Sequence, residues 1–424
     1  MTKAYYSGSR IGGRMSRGNY SALFQDRNFL RFWASTLSAD LGYGMFELAI
    51  TWLVITTSHS AAVTGGVLFV EFSTYSLTAV VGPLIDSTSN KKLFITKVFP
   101  IQAGIAVIVT VLIIFRAVTV PLILLIAFLM AFLWDFPWLA QSAMLPLILK
   151  RQKLLQANSL MQAFGGGSTI FINALAGIVI AIVGVQGVST IYAITFLASA
   201  AIMRTVNVPH TEKRSLSAGA LSSSLIEGWR YVMHGARKDL RELFFVSGLQ
   251  GFFSVAPILL ITVISFTYLH DDVTEYGILN ALLLAGGFAG NFIFGKLNPT
   301  PRIGRVMLLT TFVEGFLIAL SPVTVHSIVL TDMIWFLVGS FDPIFYNGYN
   351  SYIQSTVDHD HMARVKGNAY LLRGMGRGGG NLALGILILY SGLAAGAEIF
   401  GFALALLAAF LLLARSEISK MGYV

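Results

Sequence analysis

VPLILLIAFLMAFLWDFPWLAQSAMLPLIL, residues 120–149, holds a single charged side chain, Asp135. A bilayer core of about 30 Å needs roughly 20 apolar residues in a helix, and this run exceeds that. A carboxylate at the centre of such a span costs roughly 2.5–3.5 kcal/mol even on insertion scales. The run therefore reads as a membrane helix with a polar group placed inside it at a cost.

The rest of the chain repeats the pattern. Of its 424 residues, 55% are hydrophobic and 12% charged, about half the usual share in soluble domains. Mean hydropathy is +0.74. Apolar runs of spanning length fall at 29–56, 62–85, 93–115, 119–149, 158–183 and 186–204. After a polar stretch come 243–268, 275–297, 303–324, 326–356, 366–392 and 395–414. The expectation is an all-α membrane protein of about twelve spans in two six-helix bundles. Its parts are a tail at 1–28, bundles at 29–204 and 243–414, a linker at 205–242 and a tail at 415–424. Cysteine is absent, so disulfides, thiol nucleophiles and thiolate metal sites are excluded. The basic N-terminal segment has no apolar core followed by a small-residue cleavage site, so no cleaved signal peptide is expected.

Lysine and arginine set the orientation. They gather at Lys91 and Lys92, at Lys150, Arg151 and Lys153, between Arg204 and Arg241, at Lys296, Arg302 and Arg305, and at Arg364 and Lys366. Both terminal segments belong to that side. The opposite connections, TTSHSAAV, VGVQG, YLHDDVTEYG, VTVHS and SGLAAG, hold no Lys or Arg, and only Arg116 interrupts the asymmetry. Both termini are thus expected on the cytoplasmic side of a plasma membrane. The net charge of +9 is explained by this placement and does not imply nucleic-acid binding. Within the linker, Ser224 and Glu227 suggest a capping box opening a short helix. Leu225, Trp229 and Val232 share one face of it, which predicts a basic amphipathic helix on the membrane surface.

The halves echo each other. Asp135 answers Asp342, NALAG at 173–177 answers NLALG at 381–385, and Gly82 answers Gly295. Repeats around a midplane site mark secondary transporters.

VGPLIDSTSNKKLF, residues 81–94, resembles the signature loop between the second and third spans of the major facilitator superfamily. Gly82, Leu84, Asp86, Lys91 and Lys92 match it, and Ser87 stands where that loop has arginine. The opening span, LFQDRNFLRFWASTLSADLGYGMFELAITWLV, and the stretch LPLILKRQKLLQANSL are similar to the proton-antiporter branch that exports macrolides and enterobactin. That branch usually carries Gly-Pro late in its fifth span, where this chain has Ile172–Asn173. The resemblance implies a secondary carrier working as a monomer, with spans one, two, four and five and spans seven, eight, ten and eleven lining a cavity. It implies proton-coupled efflux of amphiphilic molecules. An importer of one metabolite and a non-transporting sensor remain alternatives.

Five intramembrane acids are the candidate substrate or proton sites: Asp135, Asp342, Asp40, Glu47 and Glu71. Asp40 and Glu47 are seven residues apart and share a helix face, about 10 Å from each other. Each acid has three uses: to bind a proton, to pair with a cationic substrate, or to hold an arginine in a structural ion pair. Arg373 and Arg377 are the candidate partners for Asp135 and Asp342. Glu314 is expected to make a structural hydrogen bond outside the cavity. Gly82, Asp86, Lys91 and Lys92 form either a conformational latch or a solvated loop. Pro137, Pro257 and Pro343 are expected kinks. The rings of Trp134, Phe136, Trp138, Phe341, Phe345 and Tyr346 flank the two midplane acids. DHDH, residues 358–361, lacks zinc spacing, and Gly165–Gly167 and Gly378–Gly380 lack the strand–loop–helix setting of a phosphate loop. No ATP-binding motif, catalytic constellation or cofactor motif is visible.

Overall fold

The computed structural model describes residues 21–210, 226–235, 237–269, 272–297 and 302–422. Among them nine helices are long and apolar enough to cross a bilayer. Two of the nine are hairpins. One, Arg151–Arg204, turns at Gly184 (φ 69°, ψ 176°), and the other, His359–Leu413, turns at Gly392 (φ 83°, ψ 168°). Only glycine adopts that backbone region without steric cost. Gly44 meets Ile172, and Ser38 donates to the Thr195 carbonyl at 2.9 Å. Residues 172 and 195 would be about 34 Å apart on a straight helix, so the chain doubles back between them. Across the second turn, Gly396 faces Leu384 and Ile388.

The spans are α1 Arg27–Ser58, α2 Ala61–Thr74 continued by Thr78–Ser87, α3 Lys92–Ile114, α4 Val120–Ile148, α5 151–183 and α6 185–204. The second set is α7 Lys238–Phe253 continued by Ala256–Thr267, α8 Val273–Leu297, α9 Ile303–Thr324, α10 Ile328–Thr356, α11 359–391 and α12 393–413. Twelve spans in two bundles match the expectation. Two spans are interrupted, the second of them at the expected Pro257. A 3₁₀ turn at Tyr75–Leu77 breaks α2, and α7 breaks at Ser254–Val255, which places Pro257 in the first turn of the continuing helix. Proline is tolerated there because that turn has no carbonyl partner for its missing N–H. Pro137 and Pro343 lie inside unbroken helices.

The first bundle is tied internally by buried polar pairs and the second by close glycine contacts. In the first, Ser35 and Ser199 exchange hydrogen bonds between α1 and α6, and Gln102 of α3 donates to the Met130 carbonyl of α4 at 3.1 Å. Asp26 caps α1 by accepting from the backbone N–H groups of Asn28 and Phe29. In the second, Gly286, Gly290 and Gly339 bring α8 and α10 to backbone contact. Outward faces carry Ile108, Ile182, Phe292, Leu406 and Phe410, more than half exposed. Such a belt suits lipid rather than water.

The bundles meet at the lysine-poor end through two equivalent crossings. Gly177 of α5 lies on Gly277 of α8, with the Asn173 carbonyl beside it. Gly385 of α11 lies on Ala61 and Ala62 of α2, with the Asn381 carbonyl against Gly65. The NALAG and NLALG repeats are thus the two halves of one pseudo-symmetric seal. Small residues let the backbones approach where any side chain would clash. Trp52 stacks on Tyr276 nearby, centroids 5.1 Å apart. At the basic end, a Cβ added to Gly82 or Gly295 would meet nothing within 4 Å. The close crossings between the bundles lie at the lysine-poor end, and Gly82 and Gly295 at the basic end make no such contact.

The linker helix packs on the second bundle. Ser224 and Leu225 lie outside the described residues. Val232 is fully buried within the second bundle's core, and Trp229 packs edge-on against Phe244 and Phe245. Glu227 pairs with Arg364 at 2.6 Å, and Tyr231 stacks on His361. The helix thus contacts α7 and α11, with Val232 buried and Trp229 left partly exposed.

Candidate functional site

The spans leave a cavity of about 500 Å³ between the bundles. Glu47, Thr51, Phe72 and Asn173 line it from the first bundle. Tyr276, Asn280, Asn291, Asp342 and Arg377 line it from the second. Leu48, Leu68, Val255, Ile258, Leu283 and Phe288 complete an otherwise apolar wall. Concave, mainly apolar walls with a few placed polar groups are the usual form of a small-molecule site.

Behind the first bundle's wall lies a small recess lined by Tyr43, Glu47, Glu71, Phe72, Thr74, Ala131, Trp134 and Asp135. Glu47 and Phe72 belong to both spaces. Asp135 therefore stands one layer back from the main cavity, whereas Asp342 stands on it. Asp135 is 2% exposed and its Oδ2 has no hydrogen-bond partner. Glu47 lies close enough to Glu71 for their charges to interact. None of the recess residues is basic. Trp134 stacks on Tyr43, centroids 4.0 Å apart, and closes one side. Asp40, two turns along α1, lines neither space.

The second bundle is built differently. Arg373 is 6% exposed and donates to Gln250 Oε1 at 3.0 Å, with its guanidinium 4.7 Å from the Tyr346 ring centre. Arg377 reaches across to the first bundle and sits 4.9 Å over the Phe72 ring, its Nε without a partner. Glu314 of α9 is fully buried and lies within hydrogen-bonding reach of Asp342, in the field of both arginines. Among the described residues the ion pairs within 4 Å are Arg237–Asp239, Glu227–Arg364 and Glu417–Lys420. Neither Asp135 nor Asp342 makes the direct pair with Arg373 or Arg377 that sequence reasoning allowed for.

Glu314 does not line the cavity; it is buried within the second bundle near Asp342, outside the cavity as expected. Of the flanking aromatics, Trp134 and Tyr346 touch the charged groups. Phe136 packs on Phe94 and Phe132, Phe345 is core, and half of Trp138 is exposed.

In the loop after α2, the Asp86 side chain lies outside the described residues. Lys91 is buried and donates to the Ile85 and Thr88 carbonyls, each at 3.2 Å. Lys92 donates to the Arg204 and Val206 carbonyls at 2.8 Å, capping the C-terminal end of α6. Both lysines thus serve helix ends of their own bundle.

The chain belongs to the Major Facilitator Superfamily, whose family model matches residues 32–381. It is a multi-pass membrane protein of transporter fold. Solved structures agree over nearly the whole chain at low identity. The nucleoside transporter NupG is similar with a TM-score of 0.68 and 14% identity, covering 92% of this chain and 99% of that one. A bacterial homolog of the human lysosomal transporter Spinster, inward-facing and unoccupied, gives 0.68 and 15%, covering 92% and 96%. The peptide transporter POT in complex with sulfate gives 0.68 and 14%, covering 94% and 96%. No curated protein matches the chain significantly by sequence.

Proposed function

We propose that the protein is a proton-coupled secondary carrier of amphiphilic small molecules, working as a monomer in the plasma membrane by alternating access. The observation that carries this reading is the pairing of an apolar-walled cavity shared by both bundles with buried, unpartnered carboxyls at its edge. With the basic end cytoplasmic, the state described is open inward. Closing the basic end and parting the two small-residue crossings would expose the same cavity to the other side. Glu47, Glu71 and Asp135 take up and release the proton as water reaches the recess from alternate sides. Asp342 faces the cargo, and Asp40 serves the approach from the basic end. Gly82, Asp86, Lys91 and Lys92 hold the end of α2 against α3 and α6, so that this corner meets the second bundle as one latch.

Efflux follows from the resemblance to the macrolide and enterobactin exporters. Import of a specific metabolite is the second reading. It is favoured by Ile172–Asn173 in place of Gly-Pro.

The test is reconstitution in liposomes containing a pH-reporting dye, with lipophilic cations, macrolides and siderophores added in turn. Substrate-triggered proton movement that Asp135→Asn abolishes is the expected result. Proton movement unimpaired in that mutant would remove Asp135 from the coupling mechanism. Counterflow direction separates efflux from import.

A further inference from the structure

We infer that the cavity selects a dipolar substrate, one molecule carrying a cationic amine at one end and an anionic group at the other. The inference rests on the carrier reading and adds the class of cargo. Two observations carry it.

The first is the charge census around the cavity. On one side Glu47 opens onto it, backed by Glu71 and Asp135, and no base lines that recess. On the other side Arg377 opens onto it, backed by Arg373. Near them stand Asp342, on the cavity wall, and the buried Glu314. Both arginines belong to the second bundle, on the side of the cavity that faces the acids of the first.

The second observation is that the opposite charges do not cancel directly. Glu47 and Arg377 both stand beside Phe72, yet no ion pair within 4 Å joins them among the described residues. Arg377 Nε is buried and has no acceptor, and its guanidinium rests on the Phe72 ring instead of on a carboxylate. A buried donor without an acceptor is costly. A substrate carboxylate supplies that acceptor with the geometry a guanidinium matches best. The substrate's ammonium, on the far side of Phe72, meets Glu47. Apolar residues between the poles accept the body of the molecule.

A fluoroquinolone, whose piperazinium and carboxylate lie at opposite ends of an aromatic body, is a suitable probe. Its methyl ester keeps only the cation and its N-acetyl form only the anion. Binding of the three forms to the full chain in detergent, without any gradient, is read from drug fluorescence. The zwitterion is expected to bind at least about tenfold more tightly than either single-charge form. Arg377→Gln should erase its advantage over the ester, and Glu47→Gln its advantage over the N-acetyl form. Arg377→Lys, which keeps the charge, should restore part of the first. Equal binding of zwitterion and ester by the wild type would overturn the inference, and so would absence of zwitterion binding. Either result leaves proton-coupled transport to be decided in liposomes, so the two readings fail separately.

Discussion

The two bundles share a fold and differ in how they keep charge inside a membrane. The first holds Glu47, Glu71 and Asp135 around a recess with no base to balance them. The second holds Glu314 and Asp342 with Arg373 and Arg377, anchored by Gln250 and Tyr346. Carboxyls without a cation can stay neutral by holding protons, so their number can change during a cycle. A guanidinium does not lose its proton, so its neighbours must be arranged around a permanent charge. The first bundle is therefore suited to exchange, and the second to holding a fixed charge in place.

That contrast breaks most visibly at Arg373. Arg373→Leu strips a buried network of a cation and should destabilise the protein by about 3–5 kcal/mol. Asp135→Asn should leave stability nearly unchanged, since its Oδ2 has no partner to lose. Thermal unfolding of both variants in detergent measures the difference, and equal losses would erase the distinction between the halves.

A second test moves the bundles relative to each other. A Cβ at Gly177 would stand 2.6 Å from the Val273 carbonyl oxygen. Gly177→Leu should therefore part the seal without entering either core. The chain has no cysteine, so Gly295→Cys provides a clean reporter at the open basic end. Its labelling rate should fall roughly tenfold when Gly177→Leu is added, for a shift of about 1.4 kcal/mol. An unchanged rate would mean that this crossing does not govern the equilibrium.

Smaller effects separate the two basic-end fixtures. Lys92→Ala removes the cation from the end of α6 and should cost about 0.3–1 kcal/mol. Glu227→Gln breaks a half-exposed pair between the linker helix and α11 and should cost about 0.2–0.5 kcal/mol, less at high salt. Unfolding curves at two ionic strengths would rank them, and a larger loss at Glu227 would give the linker more weight than its exposure implies.

Asp135, Asp342, Glu47 and Glu71 announced themselves in the sequence because a charge in an apolar run is rare and costly. Which cavity each one faces did not follow, because helix rotation is set by packing against neighbours. Asp135 turned out to face a recess and Asp342 the main cavity. The hairpin glycines, Gly184 and Gly392, fell in the predicted loops VGVQG and SGLAAG. The break at Ser254–Val255 fell at the predicted Pro257, whereas the one at Tyr75–Leu77 had no proline or glycine signal.

The sequence by itself determined that this is a two-bundle membrane protein. Water-to-lipid transfer acts on each segment separately, and the pattern of apolar runs and basic loops is local. It also marked the NALAG and NLALG repeats, though not what they do. Only the tertiary structure decided that these repeats seal one end, that Arg377 rests on Phe72 rather than on an acid, and that Glu47 and Arg377 line one cavity from opposite bundles. Those facts depend on residues hundreds of positions apart meeting at a few ångströms, which no single segment encodes.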